Sequence, residues 1–207
     1  PDHQSLIPLA QRLSDHQVIL PDVRGYGRSV CKNESSHTWS QYAADVIALL
    51  DQMGVQRAVV GGAGLGSTIS LRAAIAYPER VKALVLISVE DVEDDEAKQK
   101  EVEFMDAFAA RVRGEGLEAA WAPILKDLAP IIETMVRDAI PRTNSESIAA
   151  AAAIGRDRSF RSIEELSKIK CPTLIFPGMD WRHPKELAKK MAQLIEKGVL
   201  AEVSVSS

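Results

Sequence analysis

Apolar and polar positions along the chain follow two alternating periods. Short runs that are apolar at nearly every position stand between longer stretches in which apolar residues recur every three or four, the order of a βα chain. Residues 83–89 (ALVLISV) are apolar on both faces, as a central parallel strand should be. Residues 57–61 (RAVVG) and 172–177 (PTLIFP) read as two further buried strands adjacent to it. Residues 17–20 (QVIL), closed by Pro21 and Asp22, and 201–205 (AEVSV) read as shorter strands. A short helix is predicted over 5–13, with Leu6, Leu9, Ala10 and Leu13 on one face. Thr38, with Gln41 three residues on, has the form of a capping box. The apolar positions Tyr42, Val46, Leu49, Leu50 and Met53 then define a helix that Gly54 ends. Further helices are predicted over 67–77, stopped by Pro78, and over 184–197, with Pro184 near the first position. From Glu90 to about Leu166 the period is helical, acidic at first (EDVEDDE) and then alanine-rich. The predicted fold class is α/β: a mainly parallel sheet flanked by helices, with core segments 1–90 and 166–207 and a helical cap over 91–165.

Composition narrows the classes. With 46% hydrophobic and 26% charged residues in 207, the chain has an ordinary globular balance and is long enough to bury a sizeable core. A net charge of −4, without a basic stripe, argues against nucleic acid as a partner. No apolar run approaches the length of a membrane span. Cys31 and Cys171 form neither a disulfide framework nor a metal-type spacing, which points to a reducing, cytoplasmic setting. No metal or cofactor is implied, and the expected partner is a small-molecule substrate or ligand. Oligomeric state is left open.

The chemistry centres on the turn between the strand at 57–61 and the helix at 67–77. It reads Gly62-Ala63-Gly64-Leu65-Gly66. A strand, a glycine turn and a helix are the parts of a nucleophile elbow, whose pattern is Gly-x-Ser-x-Gly. The central residue projects from a sharp turn, and its neighbours are small because strand and helix nearly touch. A phosphate-binding loop is the rival reading. The spacing Gly-x-Gly-x-x-Gly is not met, because Ser67 follows one frame and Ile69 the other, and no lysine follows as a triphosphate loop needs.

Four segments in order carry a resemblance to the α/β-hydrolase superfamily. They are 18–29 (VILPDVRGYGRS), 59–88 (VVGGAGLGSTISLRAAIAYPERVKALVLIS), the stretch 90–166 where that family inserts a cap, and 171–195 (CPTLIFPGMDWRHPKELAKKMAQLI). The resemblance implies that Gly64 takes the nucleophile position, Leu65 supplies an oxyanion-hole N–H, and Asp180 takes the catalytic acid position. Asp22 and Arg24 match a structural loop. Trp181, His183 and the cap residue Trp121 are candidates to line a substrate site. Phe104, Phe108 and Ile124 share the cap with Trp121 and read equally as its core.

Three departures from the family pattern stand out. Gly64 has no hydroxyl, and serine chemistry requires one activated by a base; Ser67 reads as a packing residue of the elbow helix. The family's catalytic histidine follows its final strand, while the histidines here are His3, His16, His37 and His183. Of these, His183 precedes Pro184 at a helix start, where a cap or substrate-lining role competes with a role as base, and His3 reads as an exposed terminal residue. Finally, the family's first strands and its oxyanion loop would precede this chain, and one of them lies between the strands read at 17–20 and 57–61. The expected function is therefore a lineage of ester or related carbonyl hydrolases acting on a small apolar substrate, inactive as written. The alternatives are a non-catalytic small-molecule-binding protein of the same fold and an altered or partial form of a longer active chain.

Overall fold

The computed structural model describes residues 2–90, 95–128, 130–178 and 183–202. Four parallel strands make one sheet in the order β1-β2-β3-β4: β1 Ala58–Ala63, β2 Val81–Ile87, β3 Thr173–Phe176 and β4 Gly198–Leu200. The α-helices are α1 Ile7–Ala10, α2 Trp39–Gln52, α3 Leu65–Ala76, α4 Asp95–Glu115, α5 Leu117–Leu125, α6 Pro130–Ala139, α7 Ser145–Ala151 and α8 Lys185–Leu194. The chain gathers into two compact units, one of residues 1–37 with 101–156, the other of 38–100 with 157–207.

The second unit holds the sheet. β2 runs between β1 and β3 and pairs with both in parallel, as its two apolar faces predict. Leu84, Leu86 and Ile175 point to one side, where they are buried at 1% exposure or less with Leu71 of α3, Met191 of α8, and Phe160 and Leu166. Truncating such a residue to alanine costs about 2–5 kcal/mol. α2 begins where expected: the Thr38 hydroxyl accepts from the Gln41 N–H at 3.2 Å. The return half of the capping box is not made, because the Gln41 amide donates to Asp45 at 3.0 Å. Trp39 anchors the start of the helix, donating its indole N–H to the Asp157 carbonyl at 3.1 Å and its backbone N–H to the Asp157 carboxylate at 2.8 Å.

The other unit is helical. Ala109, Val112, Leu117, Ala120, Ile148 and Ala149 form its apolar cluster, with Phe108 and Trp121 edge to face against it, ring centres 5.2 Å apart. Asp2 is buried and accepts two bonds from the Arg142 guanidinium, at 2.8 and 3.2 Å. The Asp22 carboxylate accepts from the backbone N–H groups of His3 (2.7 Å) and Arg28 (3.0 Å). Burial pushes Asp22 up, but these bonds outweigh it and hold the carboxyl below its ordinary value.

Several sequence expectations are corrected. Residues 17–20 are irregular and belong to no ladder. An apolar run becomes a strand only when neighbouring chain takes up its N–H and C=O groups, and no described strand does so here. The strand at 57–61 is not buried on both faces: β1 ends the sheet order and Val59 is 57% exposed. The last strand lies at Gly198–Leu200, earlier than 201–205, because Thr173 donates to Lys197 and Ala201 to Ile175; residues 203–205 lie outside the described residues. The helix expected over 5–13 is a 3-10 turn, His3–Leu6, followed by α1, and Leu9 and Leu13 are left exposed. His3 is not an exposed terminal residue: its ring is mostly buried, with Nδ1 2.8 Å from Asp22.

Candidate active site

Because the strands are parallel, their C-terminal ends share one edge of the sheet, the edge where open α/β sheets place ligands. Ala63, Ile87 and Phe176 form one row across β1, β2 and β3. Each strand then leads directly into a residue of interest. β1 leads to Gly64 and α3, β2 to Ser88 and Glu90, and β3 to Gly178.

The turn at Gly64 is as sharp as an elbow requires. Its φ of +52° and ψ of −118° lie in a region open to glycine and strained for other residues. The Gly64 N–H donates to the Ile87 carbonyl at 2.9 Å, and its own carbonyl accepts from Ser67 N at 2.8 Å. Gly62 explains the small neighbour: a Cβ there would lie 2.6 Å from the Gly66 carbonyl carbon and 2.7 Å from its Cα. Gly66 itself has open space where a Cβ would go, so the close approach constrains only one of the two outer glycines. Leu65 opens α3, and the first N–H groups of a helix have no partner within it.

Ser67 is fully buried. Its hydroxyl lies 2.7 Å from the Gly62 carbonyl and 2.9 Å from the Ile87 carbonyl, and it accepts the Ile87 N–H at 2.9 Å. It clasps β1, β2 and α3 together, with its hydroxyl directed to the backbone of both strands.

Among the described residues, and apart from its chain neighbours, the atoms nearest to where a side chain on Gly64 would begin are His183 Nε2, 3.7 Å from that Cβ position, and Glu90 Oε1, 3.8 Å from it. His183 Nε2 and Glu90 Oε1 are themselves 3.8 Å apart, each side chain 17% exposed. In the sequence, Glu90 reads only as the start of the helical stretch. The available signal is its place just past a central strand, on the same edge as the elbow. Asp180 and Trp181 lie outside the described residues. Trp121 packs with Phe108 in the helical unit. Among the described residues, no three His, Cys, Asp or Glu side chains gather to hold a metal ion, and no helix is long and apolar enough to cross a membrane.

A sequence profile described as the alpha/beta hydrolase fold matches residues 2–204. The chain belongs to the alpha/beta hydrolase fold family. Among curated relatives, this alpha/beta hydrolase is similar to a putative carbamate hydrolase, RutD, of Variovorax paradoxus, with 29% identity over 173 residues, 80% of this chain and 64% of that one. It is also similar to a 2-(acetamidomethylene)succinate hydrolase of Mesorhizobium japonicum, with 36% identity over 106 residues, 51% of this chain and 35% of the other. The chain thus spans less than two thirds of these relatives' length. Among solved structures it superposes on a thermophilic esterase from Thermogutta terrifontis with a TM-score of 0.78 and 26% identity, covering 96% of this chain and 75% of that one.

Proposed function

We propose that this alpha/beta hydrolase belongs to a lineage acting on small apolar esters or related carbonyl compounds, and that it does not run serine acyl-enzyme turnover, because Gly64 occupies the nucleophile position. The observation that carries the reading is the backbone at Gly64, φ +52° and ψ −118° between β1 and α3. That conformation is the one an elbow imposes, and here it presents no side chain. The names of the relatives support the substrate class, since a carbamate, an acetamido compound and an ester each have a carbonyl bonded to nitrogen or oxygen. In this proposal Leu65 donates to the substrate oxygen, Asp180 stands at the acid position, and Trp181 and His183 line the ligand site. The two free cysteines, Cys31 and Cys171, support a reducing, cytoplasmic setting.

The test pairs turnover with binding. A panel of short activated esters should give no release above the blank. Unreactive small acyl compounds should raise the melting temperature in a saturable way. Ester turnover that co-elutes with the protein through successive columns would overturn the catalytic half. The absence of any stabilising ligand across the panel would overturn the binding half. Binding without turnover, in the chain and in its Gly64→Ser form alike, would favour the second reading, a non-catalytic small-molecule-binding protein that keeps the elbow geometry.

A further inference from the structure

One residue beyond the row of Ala63, Ile87 and Phe176, the three strands continue into Gly64, Ser88 and Pro177. Glycine and proline carry no polar side-chain group, so Ser88 supplies the hydroxyl of that row. It does so on a strained backbone. With φ 51°, Ser88 is the one non-glycine residue of positive φ among the described residues. Glycine enters that region freely, whereas a residue with a Cβ is strained there. A strained residue persists where its surroundings over-determine it, and such residues gather at functional sites. Here the Ser88 N–H is fixed on the Phe176 carbonyl at 3.0 Å.

The hydroxyl itself does not serve the fold. The Ser67 hydroxyl bonds to the backbone of Gly62 and Ile87, and the Ser70 hydroxyl donates to the Gly66 carbonyl at 2.7 Å. Among the described residues nothing takes up the Ser88 hydroxyl, and it is not sealed in. The fully buried side-chain atoms without a partner are Thr68 Oγ1 and Arg72 Nε, and Ser88 is half-buried. Two residues on, Glu90 reaches the neighbouring strand end, its Oε1 3.8 Å from where a Cβ on Gly64 would lie. A hydroxyl that can donate and a carboxylate that can only accept thus flank one edge of the sheet. An ester has no proton for that carboxylate. A secondary amide or carbamate has both a carbonyl oxygen to accept and an N–H to donate.

We infer that Ser88 is a ligand-positioning residue, its hydroxyl donating to the carbonyl oxygen of a secondary amide or carbamate whose N–H is accepted by Glu90. The inference rests on the reading of this edge as a site for small acyl compounds, and it narrows that class. A carbonyl oxygen has two lone pairs, so Ser88 and the Leu65 N–H can both donate to it. The strain at Ser88 holds the hydroxyl at the strand end.

The experiment compares N-ethylbutanamide with ethyl butanoate, two molecules of one shape that differ by N–H against O. Each is titrated into the whole chain and into its Ser88→Gly, Ser88→Ala and Glu90→Ala forms by ligand-observed NMR, with thermal unfolding by circular dichroism alongside. The parent should bind the amide about tenfold more tightly, the scale of a hydrogen bond to a charged group. Ser88→Gly should raise the melting temperature by about 2–6 °C as strain is released. It should nevertheless weaken both ligands about three- to tenfold, the scale of one neutral hydrogen bond. Ser88→Ala keeps the Cβ and its strain, so it should weaken binding by the same factor without the rise in melting temperature. Glu90→Ala should bring the amide to the affinity of the ester. A serine with a purely structural role would give the higher melting temperature of Ser88→Gly with both affinities unchanged. That result overturns the inference and leaves the acyl-ligand reading standing, as does a parent that binds the two compounds equally or binds only other acyl compounds. A folded parent that binds no acyl compound overturns the inference and the reading beneath it.

Discussion

Ser67→Ala separates a structural hydroxyl from a chemical one. The wild-type oxygen accepts the Ile87 N–H at 2.9 Å and donates to a carbonyl of Gly62 or Ile87, at 2.7 or 2.9 Å, in a fully buried place. Removing it leaves the Ile87 N–H without this acceptor, at about 1–3 kcal/mol, and loses one donated bond with a net value of about 0.5–1.5 kcal/mol. Alanine recovers about 0.5 kcal/mol of helix propensity within α3. The balance is a loss of about 1–4 kcal/mol, centred near roughly 2.5 kcal/mol. For a chain of this size 1 kcal/mol moves the melting point by about 2–4 °C, so a fall of roughly 5–10 °C is expected. The assay is thermal unfolding followed by circular dichroism, with urea midpoints as a check that the slope is unchanged. A melting point within about 1 °C of the parent would refute the clasp.

Gly62→Ala should prevent folding or lower the melting point severely, since its Cβ meets Gly66 backbone atoms at 2.6–2.8 Å. Gly66→Ala, pointing into open space inside a helix, should be neutral or stabilising by up to about 1 kcal/mol, and comparing the two melting curves checks both. Gly64→Ser should lower the melting point by a few degrees through a strain of about 1–3 kcal/mol, with the circular dichroism spectrum unchanged. The Arg142 hydrogen bond holds the Asp2 carboxyl below its ordinary value of 3.8, against the opposing pull of burial. A depressed carboxyl contributes stability that is present above its unfolded pKa and lost as pH falls through the folded one. Stability should therefore be flat in this respect above about pH 4 and decline below it. Asp2→Asn should lower stability at neutral pH and flatten that acid limb, measured as urea midpoints from neutral to strongly acidic pH.

The elements legible in the sequence are those whose signal is local. β2 reads as a central strand because both of its faces are apolar, and α2 because Thr38 and the Tyr42-to-Met53 stripe mark its start and its buried side. The sharp turn is legible from five residues, since a strand that passes directly into a helix needs glycine where the two nearly touch, at Gly62, and where φ is positive, at Gly64. What escapes a sequence reading depends on distant chain. Residues 17–20 have the composition of a strand but no ladder, and β1 has the composition of a buried strand but ends the sheet order. His3 reads as exposed because its partner, Asp22, is brought near only by folding. Glu90 goes unnoticed because nothing in its sequence context reports the left-handed turn at Ser88 that aims it.

The elbow is held together by atoms other than those it displays. Gly62 sets the approach of strand to helix, Ser67 ties the layers from below, and the backbone of Gly64 bonds to Ile87. Among the described residues, nothing in the packing leans on a side chain at 64, since the nearest atoms to a Cβ there are at ordinary contact distance. Scaffold and reactivity are thus written in separate residues. On the proposed reading of Gly64, a substitution there changes what the turn displays while the contacts that hold the turn are inherited unchanged.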